Sequence, residues 1–230
     1  MEAQTRPQLD AGFLSGPILP PLIRFSLPLM LSLLLQALYG GVDLAVVGWF
    51  STTAHVSAVA TGSQMMQAVT VVITGLTMGV TVLLGHALGA GDPQKAGDVT
   101  AGQIWLFLPL SFLCTLSIIL LAPWLTQLMQ VPTAAVDATV AYIRICSGGT
   151  IFITAYNVIS GLFRGIGNSR SPFLFVLIAC LVNVVLDLIF VGVFHLGAAG
   201  AALATVLAQA ASVAFSLGYL HRHPLSLIHI

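Results

Sequence analysis

Leu181-Val-Asn-Val-Val-Leu-Asp187 decides how this chain reads, because Asp187 is the only charged side chain between Arg170 and Phe194. Asn183 and Asp187 are four residues apart, so on a helix they share one face, one turn above the other. A carboxylate in hydrocarbon costs at least ~2.5 kcal/mol at a helix centre. It normally faces a bundle interior, a water-filled cavity or a bound cation. A second carboxylate, Asp43, holds a comparable place in the first apolar segment. Two acids inside one small membrane bundle point to an ion or proton site.

Lipid is the solvent this composition implies. Of 230 residues, 58% are hydrophobic and 6% charged, against about 25% charged in soluble domains. So little charge cannot clothe a soluble surface of this size. The formal net charge is zero, which argues against nucleic acid as a partner. Cys114, Cys146 and Cys180 lie in apolar stretches without a CxxC spacing. They read as small packing residues, not as disulfides or metal ligands. Met1 to Gly16 is polar and lacks the layout of a cleaved signal, so it is expected to be a cytoplasmic tail.

Six apolar segments follow, at roughly 20–48, 56–84, 98–122, 137–162, 171–194 and 198–220. Each reaches the ~20 residues a span needs. All exceed barrel-strand length, and none alternates as a barrel strand would. The connectors carry turn chemistry: Gly89-Ala-Gly-Asp-Pro93, Val131-Pro-Thr133, Gly165-Ile-Gly-Asn-Ser-Arg170 and Gly192 to Gly197. The expected fold is an all-α membrane protein, a six-transmembrane-helix bundle occupying residues 17–222.

Basic residues orient it. Arg6, Arg24, Lys95, Arg164, Arg170 and Arg222 fall on one side, while the connectors near 49–55, 123–136 and 195–197 have no Lys or Arg. The positive-inside rule makes the basic side cytoplasmic and puts both ends of the bundle there. Segments one and five then run outward, four and six inward. At ~1.5 Å per residue, Asp43 lies ~8 Å and Asp187 ~10 Å below the outer ends of their helices. On the same arithmetic Tyr142 and Thr205 lie ~8–11 Å in, and Asn183 ~16 Å. Five polar side chains on four helices thus converge on the outer half of the bilayer.

Small residues promise close helix approach at Gly75/Gly79, Gly85/Gly89, Gly161/Gly165 and the run Gly197-Ala-Ala-Gly-Ala-Ala. Pro28 removes a backbone hydrogen bond in segment one and should bend it. Arg144, inside segment four, is expected to pair with Asp137 or with outer headgroups. His55, His86, His195, His221 and His223 stand at segment ends without HExxH spacing, and are read as solvated, with no metal assigned.

Together these residues resemble a known family. Pro28, Gln36, Tyr39 and Gly41-Val-Asp-Leu-Ala-Val-Val-Gly48 are similar to the first helix of the multidrug and toxic compound extrusion (MATE) family. Gly161-Leu-Phe-Arg-Gly-Ile-Gly-Asn-Ser169, Asn183-Val-Val-Leu-Asp187 and Gly197-Ala-Ala-Gly-Ala-Ala-Leu-Ala-Thr205 extend the match, in the pattern of the DinF-type prokaryotic branch. The resemblance implies a multi-pass protein of a bacterial plasma membrane and one lobe of a twelve-helix, two-lobed multidrug efflux antiporter. It would export small cationic or amphipathic drug-like compounds in exchange for H⁺ or Na⁺, with no cofactor and no enzymatic chemistry. It further implies an ion site at Asp43, Tyr142, Asn183, Asp187 and Thr205, cavity-lining roles for Gln36 and Tyr39, and a helix bend at Pro28. Lipid and the missing C-terminal lobe are the implied partners.

Length is the main departure, since only the first lobe is present. Leu225-Ser-Leu-Ile-His-Ile230 also reads as a translation of a transposon end used in sequencing libraries. The expectation is a non-native tail on a reading frame cut short, leaving a fragment inactive alone. As for mechanism, two nearby carboxylates resist ionising together, so a proton is held between them until the site opens. Na⁺ held by oxygens of Asp43, Asn183, Asp187 and Thr205 is the equal alternative. A flippase for lipid-linked oligosaccharides, from the same wider superfamily, is the rival function; such proteins usually carry several cavity cations, and Arg144 is the one candidate here.

Overall fold

A computed structural model describes residues 19–222. The expected tails at 1–16 and 225–230, with Arg6 and His223, lie outside the described residues. Within them the chain is helical throughout: α1 (Leu19–Phe50), α2 (Thr53–Gly89), α3 (Pro93–Leu128), a single 3₁₀ turn (Thr133–Ala135), α4 (Val136–Gly148), α5 (Thr150–Gly165), α6 (Arg170–Asp187), a π-helical turn (Leu188–Val193) and α7 (Gly197–Arg222). Helices satisfy every backbone polar group internally, which hydrocarbon demands. Five of these spans are long and apolar enough to cross a membrane; α4 and α5, bent by 46° at one break, make the sixth. This is the expected six-span bundle, and the protein is a multi-pass membrane protein.

Turn residues set the helix ends. The side chain of Asp92 accepts a hydrogen bond from the Lys95 amide at 2.9 Å, and Pro93 opens α3, a capping arrangement that suits both residue types. Asn168 Oδ1 accepts from the amides of Arg170 and Ser171 at 3.0 and 3.1 Å, starting α6. Gly91 and Gly167 hold φ of +70° and +84° in these turns, a backbone region glycine enters without steric cost.

The fourth expected span differs. Hydropathy reads 137–162 as one rod, yet the helix breaks at Gly149. α1, by contrast, continues through Pro28, with the Ser32 hydroxyl donating to the Pro28 carbonyl at 2.8 Å.

Small residues decide which helices meet, and not every GxxxG pair is used. Gly161 and Gly165 on α5 lie against Thr77, Thr81 and Leu84 of α2, and Gly85 faces the Gly165 carbonyl. Gly75, Gly79 and Gly89 have no such neighbour. In α7 the alanines Ala198, Ala201, Ala202, Ala204 and Ala208 are fully buried, which lets its backbone approach α6 and α4 closely. The core divides accordingly. One apolar cluster, including Val46, Val47, Ala58, Val59, Val191 and Ala201, fills the end where α1 stops and α7 begins. Another, including Leu84, Leu88, Ala96 and Leu162, fills the opposite, basic end.

Candidate functional site

Three helices deliver the acidic cluster. On α6, Asn183 and Asp187 are fully buried while Leu181 and Val185 between and beside them are exposed. The 3.6-residue period alone therefore turns the polar pair inward. On α1, Asp43 is 3% exposed, one turn before the buried Val46 and Val47. On α7 the alanine surface brings Thr205 within 3.3 Å of Asp43, Oγ1 to Oδ2. Asp187, Asn183 and Thr205 are the side chains that bear directly on Asp43, and Asp43 is the one that bears on Asp187.

The hydrogen bonding of this cluster is incomplete. Among the described residues, Asp43 Oδ1, both carboxylate oxygens of Asp187 and both amide atoms of Asn183 are buried without a hydrogen-bond partner. Buried polar groups are nearly always paired, and each orphan costs about 1–3 kcal/mol. Thr205 sharpens the point. Its hydroxyl has one proton and lies 2.9 Å from the Ala201 carbonyl, a better distance than the 3.3 Å to Asp43. With the proton given to Ala201, oxygen lone pairs face the Asp43 carboxylate. A proton on that carboxyl, or a hard cation between the oxygens, relieves the contact. Among the described residues no group of three or more His, Cys, Asp and Glu could hold a metal.

The apolar cluster of Val46, Val47, Ala58, Val59 and Val191 closes the nearer end of the bundle above the acids. On the other side Asp43 and Thr205 help line a cavity of about 170 Å³, together with Gln36, Tyr39, Gln67 and Asn157. Asp187, Asn183 and Tyr142 are not among its lining residues; they stand behind Asp43. The cavity reaches the hidden carboxylate through the lining one.

The other expected site residues fall into place unevenly. Tyr142 is buried next to Asp43 and Tyr39. Its ring is seated on Gly62 of α2, where a Cβ would collide with ring atoms. Tyr39 directs its hydroxyl towards Thr205 and Asp43, without a well-formed hydrogen bond. Gln36 reaches the cavity but not the acids. Pro28 stands apart, ~22 Å from Asp43 along α1.

One reading needs correction. His55 is not merely solvated: its Nδ1 accepts the Ala198 amide at 3.2 Å, tying α2 to the first turn of α7. The ring lies where a side chain on Gly197 would have to sit. Arg144 is exposed and donates from Nε to the Ile119 carbonyl of α3 at 3.4 Å, away from the cavity. Gly62, Gly149 and the π-helical turn that follows Asp187 were not legible as site features. A glycine's role as a seat depends on a partner helix, and π turns, which recur at functional sites, leave no pattern in hydropathy.

Comparison with known proteins identifies the family and the fold. The MatE family model matches residues 28–189. The chain belongs to the MatE family. Members are secondary transporters, not enzymes, and need no cofactor. This MatE chain is similar to the probable multidrug resistance protein YpnP of Bacillus subtilis (strain 168), with 29% identity over 213 residues, 93% of this chain and 48% of that protein. Solved structures of MATE in the bent and the straight conformation align with TM-scores of 0.84 and 0.83. Each is 26% identical and covers 95% of this chain and 48% of the other. Such near-equal likeness expresses no preference between the two shapes. The chain spans about half the length of the curated relatives it matches.

Proposed function

We propose that this MatE chain is the N-terminal lobe of a multidrug efflux antiporter driven by H⁺ or Na⁺. Its ion site would be Asp43, Asn183, Asp187 and Thr205, flanked by Tyr142, with Gln36 and Tyr39 on the substrate side. One observation carries the reading: two buried acids leave three carboxylate oxygens without partners among the described residues and open, through Asp43, onto a cavity. A purely structural acid pair would be hydrogen-bonded on all sides, because nothing else offsets its desolvation.

Ion occupancy and drug occupancy then oppose each other. A proton or Na⁺ taken up at the acids neutralises the cavity wall. An organic cation in the cavity is favoured when Asp43 is ionised and empty. A cavity of about 170 Å³ is smaller than the ~300–1,000 Å³ of drug-sized pockets. The second lobe, and motion between lobes, would supply the remaining volume. The basic ends of the helices are assigned to the cytoplasmic face of a bacterial plasma membrane. Pro28 would serve as the bend point of α1, a role that rests on the family resemblance.

The flippase reading has no comparable support, because no Lys or Arg lines the cavity. The test uses the full two-lobe protein in proteoliposomes loaded with an organic cation, with imposed pH or Na⁺ gradients. Asp43→Asn and Asp187→Asn should each insert normally and lose ion-driven export. Wild-type export by both variants would overturn the assignment. The gradient that drives the wild type names the ion.

A further inference from the structure

Val206 of α7 fills the turn between α4 and α5. A Cβ on Gly149 would lie 2.5 Å from Val206 Cγ2 and 2.9 Å from Cγ1, whereas Gly148 beside it faces open space. The valine therefore occupies the volume that a side chain at the turn would need. On the far side, the Thr115 hydroxyl of α3 donates to the Ser147 carbonyl at 3.1 Å, giving a partner to a group that an interrupted helix leaves short. Helix α4 ends, and α5 leaves at 46°.

What lies on each side of this contact gives it meaning. Val206 directly follows Thr205, the residue 3.3 Å from Asp43. Successive helical residues point about 100° apart, so α7 shows one side chain to the acids and the next to the turn. Beyond Gly149, α5 carries Ile153, Tyr156 and Asn157, all in the cavity wall. Before it, α4 carries Tyr142 on its Gly62 seat. Asn157 stands ~12 Å from the turn, so a change of about 5° there moves the wall by about 1 Å.

We propose that Val206 in the Gly149 niche is a positioning contact that links occupancy of the acid pair to the shape of the cavity. An ion settling between Asp43 and Asp187 changes what Thr205 faces and shifts α7 locally. Val206 moves with it, and the turn at Gly149 carries the motion into α5. Val206 closes the space beside Gly149 while Gly148 stays open, so a shift of the valine bears on the turn. This rests on the antiporter reading above, and it assigns to α5 and α7 a share of the coupling.

The experiment measures ethidium affinity of the full two-lobe protein by fluorescence, with and without saturating Na⁺ and across pH. In the wild type, occupancy of the acids should weaken ethidium binding by about tenfold. Val206→Ala should shrink that ratio to about twofold or less while the affinity for each ligand alone changes little. Gly149→Ala should damage the protein, and the size-swapped pair Gly149→Ala with Val206→Ala should recover most of the wild-type ratio. A wild-type ratio in Val206→Ala overturns the proposal, as does a double variant that folds and stays uncoupled. Loss of both ligands in Val206→Ala also overturns it, since a packing defect would then suffice. If the wild type itself ignores Na⁺ and pH, the antiporter reading fails and this link with it; coupling kept in Val206→Ala removes the link alone.

Discussion

Two polar regions run through this lobe, and they are built on opposite principles. Along the α2–α5 seam, Thr74 donates to Asn157 Oδ1 at 3.0 Å and Asn157 Nδ2 donates to the Ile153 carbonyl at 2.8 Å. Thr77 donates to the Ile73 carbonyl, and the Thr81 hydroxyl shares its one proton between the Thr77 carbonyl of its own helix at 3.0 Å and the Gly161 carbonyl across the interface at 3.2 Å. These side chains are neutral and largely paired within the protein. The acid cluster between α1, α6 and α7 is charged in principle and largely unpaired. Polar groups that satisfy one another hold helices together. The carboxylates keep oxygens on which a proton or a hard cation can sit.

The sharpest way to break this contrast is to neutralise the unpaired region. Asp187→Asn should abolish ion-driven transport yet leave thermal stability within about 0.5 kcal/mol or raised, because replacing a buried ionisable group by a neutral one is often neutral or stabilising. Thermal unfolding in detergent beside a transport assay checks both. A loss of stability as large as the loss of function would make Asp187 a structural acid after all.

The seam should respond the other way round. A methyl on Gly161 would meet Thr77 Cγ2 at 2.5 Å and Thr81 Oγ1 at 2.9 Å, and Thr77 is fully buried with no room to yield. Gly161→Ala should destabilise by about 2 kcal/mol, within the range of overpacking in tight cores. Whatever protein remains folded should keep its ion dependence. Asn157→Ala removes two hydrogen bonds and should cost about 1 kcal/mol. Its second effect is a milder loss of drug affinity, because Asn157 also lines the cavity.

How much of this was legible before the structure follows from what kind of signal each feature leaves. The six spans rest on length and hydropathy, which lipid imposes on the sequence directly. The acid pair was legible for a related reason: a carboxylate in hydrocarbon is too costly to be incidental, and the spacing of Asn183 and Asp187 fixes their common face. The features that were not legible depend on a second helix. Gly148-Gly149 looks like any small pair until Val206 is set beside Gly149. Gly75/Gly79 and Gly161/Gly165 are the same motif, yet only the second meets a neighbour, because the motif permits close approach without choosing a partner. His55 looked solvated at a segment end, and only the fold brings the α7 amide to its ring.

Thr205→Val makes the smallest change that still tells the two regions apart. Valine keeps the volume and the β-branch, so packing against α1 is preserved, and the Ala201 carbonyl keeps its helix partner. Only the hydroxyl facing Asp43 is lost. With Asp43 protonated and donating to that hydroxyl, the cost in stability should be about 0.6 kcal/mol, the average worth of a hydrogen bond between membrane helices. Thr74→Val, its counterpart in the seam, should cost the same, because it too gives up one side-chain bond. The difference should show in ion binding. If Thr205 supplies an oxygen to the guest, its loss weakens Na⁺ or proton affinity by several-fold, Thr205→Ser restores it, and Thr74→Val leaves it unchanged. Equal ion affinities in Thr205→Val and Thr74→Val would place the Thr205 hydroxyl with the structural bonds of the seam and confine the ion site to α1 and α6.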